Sequence, residues 1–159
     1  MKTKLQNKVQ LITYPDSLGG DLKNLKLFLD THLKEVIGGI HILPFYPSSA
    51  DRGFAPLTHL EVEPFFGNWG DIKAISAEYD LVADFTVNHL SSESHEFQDY
   101  IEQGEDSKYK DMFLTKEKFF ARYGVGDEAL EHIYRPRPGL PFTTMTFADG
   151  VERQVWTSW

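Results

Sequence analysis

Three polar side chains follow an apolar run in the middle of the chain. The run YDLVADFTVNHL, residues 79–90, carries Asp84, Asn88 and His89 towards its end. Side chains alternate between the two faces of a strand, so Asp84 and Asn88 share one face, with Thr86 between them. A buried, unpaired carboxylate costs on the order of several kcal/mol, so we expect Asp84 to pair with Asn88 or with an arginine from elsewhere. For Asp84 and Asn88 these residue types favour bracing of the strand, whereas His89 at the open end favours ligand contact.

A loop earlier in the chain combines a carboxylate with an aromatic ring. The segment SSADRGFAP, residues 48–56, places Asp51 close to Phe54. A carboxylate accepts hydrogen bonds from sugar hydroxyls, and an aromatic ring packs against the apolar face of a sugar. A single loop aspartate is more often a solvated turn residue, so both interpretations stay open on these residues alone.

Two arginines stand between prolines near the end of the chain. The segment YRPRPGLPF, residues 134–142, contains Arg135 and Arg137. Proline fixes φ, so the loop displays its guanidinium groups with little conformational freedom to lose, and arginine binds carboxylate or phosphate through two parallel hydrogen bonds. The segment predicts a small-anion site or, equally, two arginines that pair with acidic residues of the same protein.

The elements that would position these residues alternate between apolar strands and amphipathic helices. Strands are predicted at 8–15, 40–47 and 79–90, a helix within 21–39 closed by two glycines, and a second helix at 70–79. The strands lack the polar alternation of a sheet with one wet face, so this order predicts parallel strands in an α/β sheet or barrel. In such folds ligands bind beyond the carboxyl ends of the strands, where the polar segments follow.

The second half of the sequence has a different character. A helix is predicted between Ser91 and Gly104, and a small hairpin is predicted from TTMTF and RQVWTSW around ADG. We therefore divide the chain into a partial barrel at 1–89, an inserted lobe at 90–156 and a return towards the barrel at 157–159. Three strands and two helices make a poor free-standing core, so we expect this chain to be the front part of a longer protein.

Composition excludes several classes of function. The 159 residues carry a formal net charge of −8, and an acidic chain repels phosphate backbones, which argues against nucleic acid as a partner. There is no cysteine, which fits a reducing compartment and excludes thiolate metal sites. No stretch approaches about 18 apolar residues and the first residues lack a signal-peptide core, so we expect a cytoplasmic protein without membrane contact. The histidines lack metal-ligand spacing, and the absence of a nucleotide-binding glycine motif argues against nucleotide binding.

Several motifs together resemble one known family. GGIHILPFYP, ADRGFAP, GNWGDI and DFTVNH, in this order and spacing, resemble the α-amylase superfamily of (β/α)8 barrels, and YRPRPGLPF is similar to the sucrose phosphorylase group within it. The resemblance covers essentially the whole chain. It implies an α/β fold, the N-terminal part of a (β/α)8 TIM barrel with about three βα units, and a lobe inserted after strand three.

The resemblance also implies a reaction. Sucrose and inorganic phosphate would give α-D-glucose 1-phosphate and fructose by retaining glucosyl transfer, in which one carboxylate attacks the anomeric carbon and a second acid protonates the leaving oxygen. It implies the sugar and inorganic phosphate as partners, no metal or organic cofactor, and a homodimer as the candidate assembly of the full-length protein. The acids that perform the chemistry belong to strands four, five and seven of the family, so we expect no catalytic residue in this chain and place them beyond Trp159.

Roles of individual residues follow from the same resemblance. Asp51 matches the aspartate that binds the glucosyl 4-hydroxyl, Phe54 the aromatic wall beside it, and His89 the histidine that binds the 6-hydroxyl. Asp84 and Asn88 match a bracing pair that supports strand three.

Two residues of the proline-rich loop complete the expected site. Tyr134 and Arg137 match the part of the lobe that faces phosphate and the fructosyl side, and Arg137 is the expected anion contact.

The sequence also departs from the pattern of the group. Ala55 and Thr58 stand where the loop after strand two often carries acids, and that loop is shorter than usual. These features lean towards related phosphorylases that act on glucosylglycerol, glucosylglycerate or sucrose 6-phosphate, whereas the proline-rich loop leans towards sucrose. A non-catalytic sugar-binding fragment and a folded fragment without activity are the remaining alternatives.

Overall fold

Three parallel strands organise the first half of the chain. In the computed structural model, which describes residues 5–135 and 138–158, they are β1 (Val9–Thr13), β2 (Ile37–Ile42) and β3 (Asp80–Ala83). They lie in the order β1-β2-β3, and both pairings are parallel. The predicted alternation of parallel strands with helices is therefore confirmed.

Two helices follow β1 and β2 along the chain. Helix α1 (Leu22–Phe28) begins at Asp21, whose side chain accepts a hydrogen bond from the Asn24 amide, and it continues into a π-helical turn, Leu29–Leu33. Helix α2 (Trp69–Glu78) begins with a capping box, since its N-cap residue and the residue three positions later satisfy each other's backbone amides.

The end of the first helix differs from the prediction. The two glycines expected to close it, Gly38 and Gly39, lie inside β2. A Cβ atom at Gly38 would come 2.7 Å from the Cβ of Gln6 and 2.9 Å from that of Lys8, so only glycine lets the segment before β1 pack so closely. The glycines therefore serve the packing of the sheet rather than the end of a helix.

The core of this half lies between the sheet and the two helices. Its members come from β2, from the apolar stripes of both helices and from the loops between them. The Tyr79 hydroxyl, at the end of α2, donates to the Asp30 carboxylate at 2.9 Å and joins the two helical segments. The fully or largely buried side chains include Leu22, Leu25, Leu29, Ile40, Ile42, Phe45, Ile72, Ile75 and Tyr79.

The third strand is shorter than the sequence predicts. β3 ends at Ala83, and β2 pairs with it only as far as Ile42. Phe85 and Val87, which follow the strand, are 62% and 80% exposed. The outer side of β3 is thus an open sheet edge with apolar side chains beside it.

This open edge predicts self-association of the isolated chain. Unpaired strand groups next to exposed apolar side chains promote pairing between molecules. We expect the chain to form oligomers or aggregates at micromolar concentration, and we expect the double substitution Phe85→Ser and Val87→Ser to increase the monomer fraction in light scattering. Leu27→Ser, on an exposed face of α1, is the matched control, and equal behaviour of both variants would contradict the prediction.

The second half of the chain contains two helices and a hairpin. The helices are α3 (His95–Gln103) and α4 (Lys116–Tyr123), and β4 (Phe142–Thr146) pairs antiparallel with β5 (Glu152–Trp156). The predicted helix, with Ser94 as its N-cap and glycine at its end, and the predicted hairpin are confirmed. Short 3-10 turns occupy Asp51–Gly53 in the first half and Gly104–Asp106, Lys110–Met112 and Asp127–His132 in the second.

The chain divides into two compact units. Unit 1 is Met1–Ser91 and unit 2 is Ser92–Trp159. The predicted assignment of 1–89 to a partial barrel, 90–156 to an inserted lobe and 157–159 to a return segment stays a prediction. Across the part of the chain that the structure describes, no helix has the length and apolar character needed to span a membrane.

A buried tyrosine in unit 2 offers a test of its packing. Tyr100 is 0% exposed and packs against other aromatic side chains of the unit. Its hydroxyl has no hydrogen-bond partner within the described residues. Because a buried hydroxyl without a partner destabilises the fold, Tyr100→Phe is expected to leave the free energy of unfolding unchanged or to raise it by up to about 1 kcal/mol.

Tyr79→Phe is the matched comparison for this substitution. It removes a hydroxyl that does have a partner, so it is expected to lower the free energy of unfolding by about 1 kcal/mol. Urea unfolding of both variants makes the comparison, and a larger loss for Tyr100→Phe than for Tyr79→Phe would contradict it.

Candidate functional site

The loop after β2 is held in a compact conformation by its own hydrogen bonds. The Ser48 hydroxyl lies 2.8 Å from the Ala55 carbonyl oxygen and 3.2 Å from the Ala55 amide nitrogen, which draws the two ends of the loop together. At the tip, Gly53 has a φ of 97°, and a Cβ atom there would come 2.6 Å from the Cβ of Pro44. The tip therefore requires glycine and sits directly against the carboxyl end of β2.

His89 joins this loop to the segment that follows β3. Its Nε2 lies 2.7 Å from the Phe54 carbonyl oxygen, and its Nδ1 lies 2.9 Å from the Asn88 side-chain nitrogen. A carbonyl only accepts and an amide nitrogen only donates, so the neutral ring carries its proton on Nε2. Phe54, Asn88 and His89, three of the predicted site residues, are thus brought together.

Two further hydrogen bonds extend this junction. The Ser91 amide donates to the Pro56 carbonyl at 2.9 Å, and the hydroxyls of Ser49 and Ser91 lie 2.6 Å apart. The loop after β2 and the segment 89–91 therefore form one continuous wall at the carboxyl ends of the strands. This is the edge at which parallel sheets and barrels bind their ligands.

Asp84 pairs with a residue that the sequence does not predict. Its Oδ1 lies 3.2 Å from Nε2 of His41, which is ion-pair distance. The partner within the described residues is thus a histidine and not Asn88 or an arginine. His41 faces it because β2 and β3 align His41 with Val82, two residues before Asp84. Oδ2 of Asp84 is buried and has no hydrogen-bond partner within the described residues, so it retains capacity to accept a further donor. The predicted pairing of Asp84 with Asn88 is therefore wrong within the described residues, whereas pairing with an arginine from elsewhere stays a prediction.

A buried tyrosine stands close to the same carboxylate. Tyr46 packs against Phe45 and His59, with ring centroids 4.5 Å and 4.8 Å apart. Burial raises the pKa of the Tyr46 hydroxyl, and the charge of Asp84 raises it further. The phenol therefore stays protonated near neutral pH and can donate a hydrogen bond.

The remaining predicted residues are placed differently. The backbone of Asp51 begins the 3-10 turn at the loop tip, whereas its side chain and the whole of Arg137 lie outside the described residues. Tyr134 belongs to unit 2, and its side chain is 89% exposed.

Arg135 has a structural position in the proline-rich loop. Its guanidinium donates to the carbonyl oxygens of Gly139 and Leu140 in its own loop, and to those of Thr157 and Ser158 after β5 at 3.1 Å each. These four acceptors are main-chain carbonyls rather than acidic side chains. The prediction that both arginines of the loop serve an anion site, or pair with acids, is therefore wrong for Arg135.

Comparison with known proteins decides the family. The sequence profile described as Alpha amylase, catalytic domain, matches residues 7–135. The chain belongs to the alpha-amylase catalytic domain family. Its fold is accordingly part of the (β/α)8 barrel of that family, as the resemblance implied.

Relatives within the alpha-amylase family are phosphorylases. The chain is 52% identical to the glucosylglycerol phosphorylase of Marinobacter adhaerens and 46% identical to the sucrose phosphorylase of Bifidobacterium adolescentis. These alignments cover 96% and 97% of this chain but 31% of each relative. The crystal structure of sucrose 6F-phosphate phosphorylase from Thermoanaerobacter thermosaccharolyticum superposes with a TM-score of 0.89 at 46% identity, covering 99% of this chain and 32% of that one.

The chain therefore spans about a third of the length of the curated alpha-amylase-family relatives it matches. Within the described residues, no group of three or more histidine, aspartate or glutamate side chains is arranged as a metal site. What this part of the alpha-amylase barrel contributes is a polar wall beyond the strand ends, built from hydrogen-bond donors and acceptors that include the Phe54 carbonyl and His89.

Sequence reasoning missed one cluster at this wall. Arg52, at the loop tip, contacts Tyr14 and Asp16, which follow β1. The segment Tyr14-Pro15-Asp16 is recognisable as a polar strand end, but no local pattern links it to an arginine 36 residues later. The only signal in the sequence is an arginine directly before the glycine of the tip.

Proposed function

We propose that the full-length protein containing this chain is a retaining α-glucoside phosphorylase. It transfers a glucosyl group from an α-glucoside such as sucrose to inorganic phosphate and gives α-D-glucose 1-phosphate. One carboxylate attacks the anomeric carbon and a second acid protonates the departing oxygen, with the two carboxyl groups about 5–5.5 Å apart. Both acids are proposed to lie on barrel strands outside this chain, which supplies part of the sugar-binding wall.

The observation that supports this proposal most directly is the 2.7 Å contact between His89 and the Phe54 carbonyl. It fixes the loop that carries Asp51 and Phe54 against the segment after β3, at the ligand-binding edge of the strands. In the proposal, Phe54 is the apolar wall for the glucosyl ring, and Asp51 and His89 bind two of its hydroxyls.

The hydrogen bonds of His89 define how it would meet a sugar. Both ring nitrogens have protein partners, so a sugar hydroxyl would share the Nε2 proton with the Phe54 carbonyl or would take its place. The bond from Asn88 to Nδ1 keeps the proton on Nε2, where it can be donated. Asn88 is therefore proposed to set the tautomer of His89, while Asp84 and its partner His41 brace the strand below.

The proline-rich loop, residues 134–142, is proposed to carry the phosphate and fructosyl-side contacts that the family resemblance implies. Arg135 is occupied by four main-chain carbonyls and fastens its loop to the residues after β5. Arg137, which matches the anion contact of the family, is the arginine of this loop that we propose as the anion ligand, together with Tyr134. Sugar and inorganic phosphate are the partners in this proposal, and a homodimer is the proposed assembly.

Two donors stand out among the candidates. Sucrose is favoured by the proline-rich loop, which is similar to that of sucrose phosphorylases. Glucosylglycerol is favoured by the 52% identity to a glucosylglycerol phosphorylase and by Ala55 and Thr58, which replace acids in the loop after β2. Glucosylglycerate and sucrose 6-phosphate are the further donors to compare.

A phosphate-dependence assay tests the proposal. Full-length protein is incubated with each of the four donors, with and without inorganic phosphate, and glucose 1-phosphate and free glucose are both quantified. We expect glucose 1-phosphate only with phosphate present, and one donor to exceed the others in kcat/KM. Equal donor cleavage without phosphate would identify a hydrolase and overturn the proposal.

A further inference from the structure

Arg52 adopts a backbone conformation that is unusual for its residue type. Its φ and ψ are 49° and 47°, in the left-handed region, and it is the one non-glycine residue with positive φ among the described residues. An L-residue with a side chain is strained in this region, whereas glycine enters it freely. Such strain persists where surrounding contacts hold the residue in place, and it is common at binding sites.

The contacts that hold Arg52 come from the end of β1. The guanidinium carbon lies over the ring of Tyr14, 3.8 Å from its centroid, in a cation–π contact. Its terminal nitrogen donates to Asp16 Oδ1 at 2.6 Å. Arg52 thus spans from the loop after β2 to the loop after β1.

The position of this contact in the loop gives it a consequence for the site. Arg52 is followed by Gly53, which touches Pro44, and then by Phe54, whose carbonyl meets His89. A displacement of the Arg52 backbone would therefore move the Phe54 carbonyl oxygen, two residues later, which is the atom that His89 contacts. The ion pair itself is partly exposed, and exposed pairs contribute little to the free energy of unfolding. Its main effect is therefore to hold the loop in one conformation.

We infer that Arg52 is a positioning residue of the sugar site. Held by a clamp of Tyr14 and Asp16, it fixes the position of the Phe54 carbonyl relative to His89. The expected effect on KM rests on the proposed function. The expected effect on the contact between Phe54 and His89 rests on the structure alone. Arg52 touches neither substrate nor reacting atoms in this assignment.

The substitution Arg52→Gly separates positioning from stability. Glycine relieves the backbone strain and keeps the left-handed turn, but it removes the clamp. In full-length protein we expect the KM for the glucosyl donor to rise about tenfold with kcat changed by less than about threefold, the pattern of lost binding that is equal in the ground state and the transition state. The melting temperature should change by no more than about 2 °C, since the strain relief and the lost exposed contact oppose each other.

Further variants check the mechanism of the clamp. Arg52→Lys keeps a cation for Asp16 without a planar group for Tyr14, so its KM should lie between those of wild type and Arg52→Gly. Added methylguanidinium should partly restore the KM of Arg52→Gly. Arg122→Gln, an exposed arginine of α4 in unit 2, is the control and should match wild type.

A second measurement reads the geometry without any reaction. In protein labelled with ¹⁵N-histidine, the Nε2–H signal of His89, assigned with His89→Gln, should exchange slowly in wild type and broaden or vanish in Arg52→Gly. An unchanged signal and an unchanged KM would overturn the inference. A wild type without phosphate-dependent turnover would overturn the proposed function, and the NMR signal would then still decide the role of Arg52.

Discussion

Replacing His89 with asparagine in the full-length protein is expected to lower kcat/KM for the glucosyl donor by about 100-fold or more. The substitution removes a donor that is fixed on both sides, by the Phe54 carbonyl at 2.7 Å and by the Asn88 amide at 2.9 Å. Removal of one preorganised donor from an active site typically costs this much. Under the proposed function, the effect should appear with each of the four candidate donors, because the glucosyl group is common to all of them.

A second substitution at the same position makes this test specific. The side-chain amide of glutamine can donate from nearly the place of Nε2, so His89→Gln should recover part of the loss, at least fivefold over His89→Asn. His32→Gln alters an exposed histidine next to Phe28 and should retain wild-type kinetics. Equal activities of His89→Asn and wild type would remove His89 from the proposed sugar site.

Ile40→Ala is expected to lower the free energy of unfolding of this chain by about 2–5 kcal/mol. Ile40 is 0% exposed in the middle of β2, between Leu11 of β1 and Leu81 of β3. Truncation of a buried isoleucine loses its transfer free energy and leaves a cavity that the sheet cannot fill. Urea unfolding of the association-reduced variant Phe85→Ser and Val87→Ser, with and without Ile40→Ala, measures the difference.

Ile12→Ala is the matched control for that experiment. Ile12 stands on the neighbouring strand, opposite His41, and is 61% exposed. Because little apolar surface is lost there, its truncation should cost less than about 1 kcal/mol in this chain. Similar costs at Ile40 and Ile12 would show that the core does not lie where the structure places it.

The elements that sequence reasoning predicted well are those whose information is local. Helix α2 carries a stripe of Ile72, Ile75 and Tyr79, and all three side chains are buried. The hairpin of unit 2 is marked by a turn between two alternating segments, and the helix α3 by its capping serine and terminal glycine. Each of these signals lies within about ten residues, so a short window of sequence contains the whole of it.

The features that sequence reasoning missed depend on residues far apart in the chain. Gly38 indicates a helix end until Gln6 and Lys8 are seen to pack against it. Asp84 finds His41 through the register of two parallel strands, which no local pattern specifies.

Arg135 and Arg52 illustrate the same limit. Arg135 is as favourable an anion ligand as Arg137 by residue type, and only the approach of Thr157 and Ser158 occupies it. Arg52 meets Asp16 because the loops after β1 and β2 emerge side by side. Sequence therefore suggests candidate residues for the site, whereas the partners that orient each side chain cannot be read from it.

The open edge of β3 has a consequence for synthesis of the protein on the ribosome. The matched relatives are about three times as long as this chain, which aligns with 31% of their length. In a protein of that size, translation at about 5–20 residues per second would leave tens of seconds before the later strands emerge. During that interval a nascent chain of this fold would present Phe85, Val87 and an unpaired backbone to its surroundings. Chaperones that bind nascent polypeptides would recognise this exposed apolar segment. Slower codons downstream would lengthen the time for which it stays exposed.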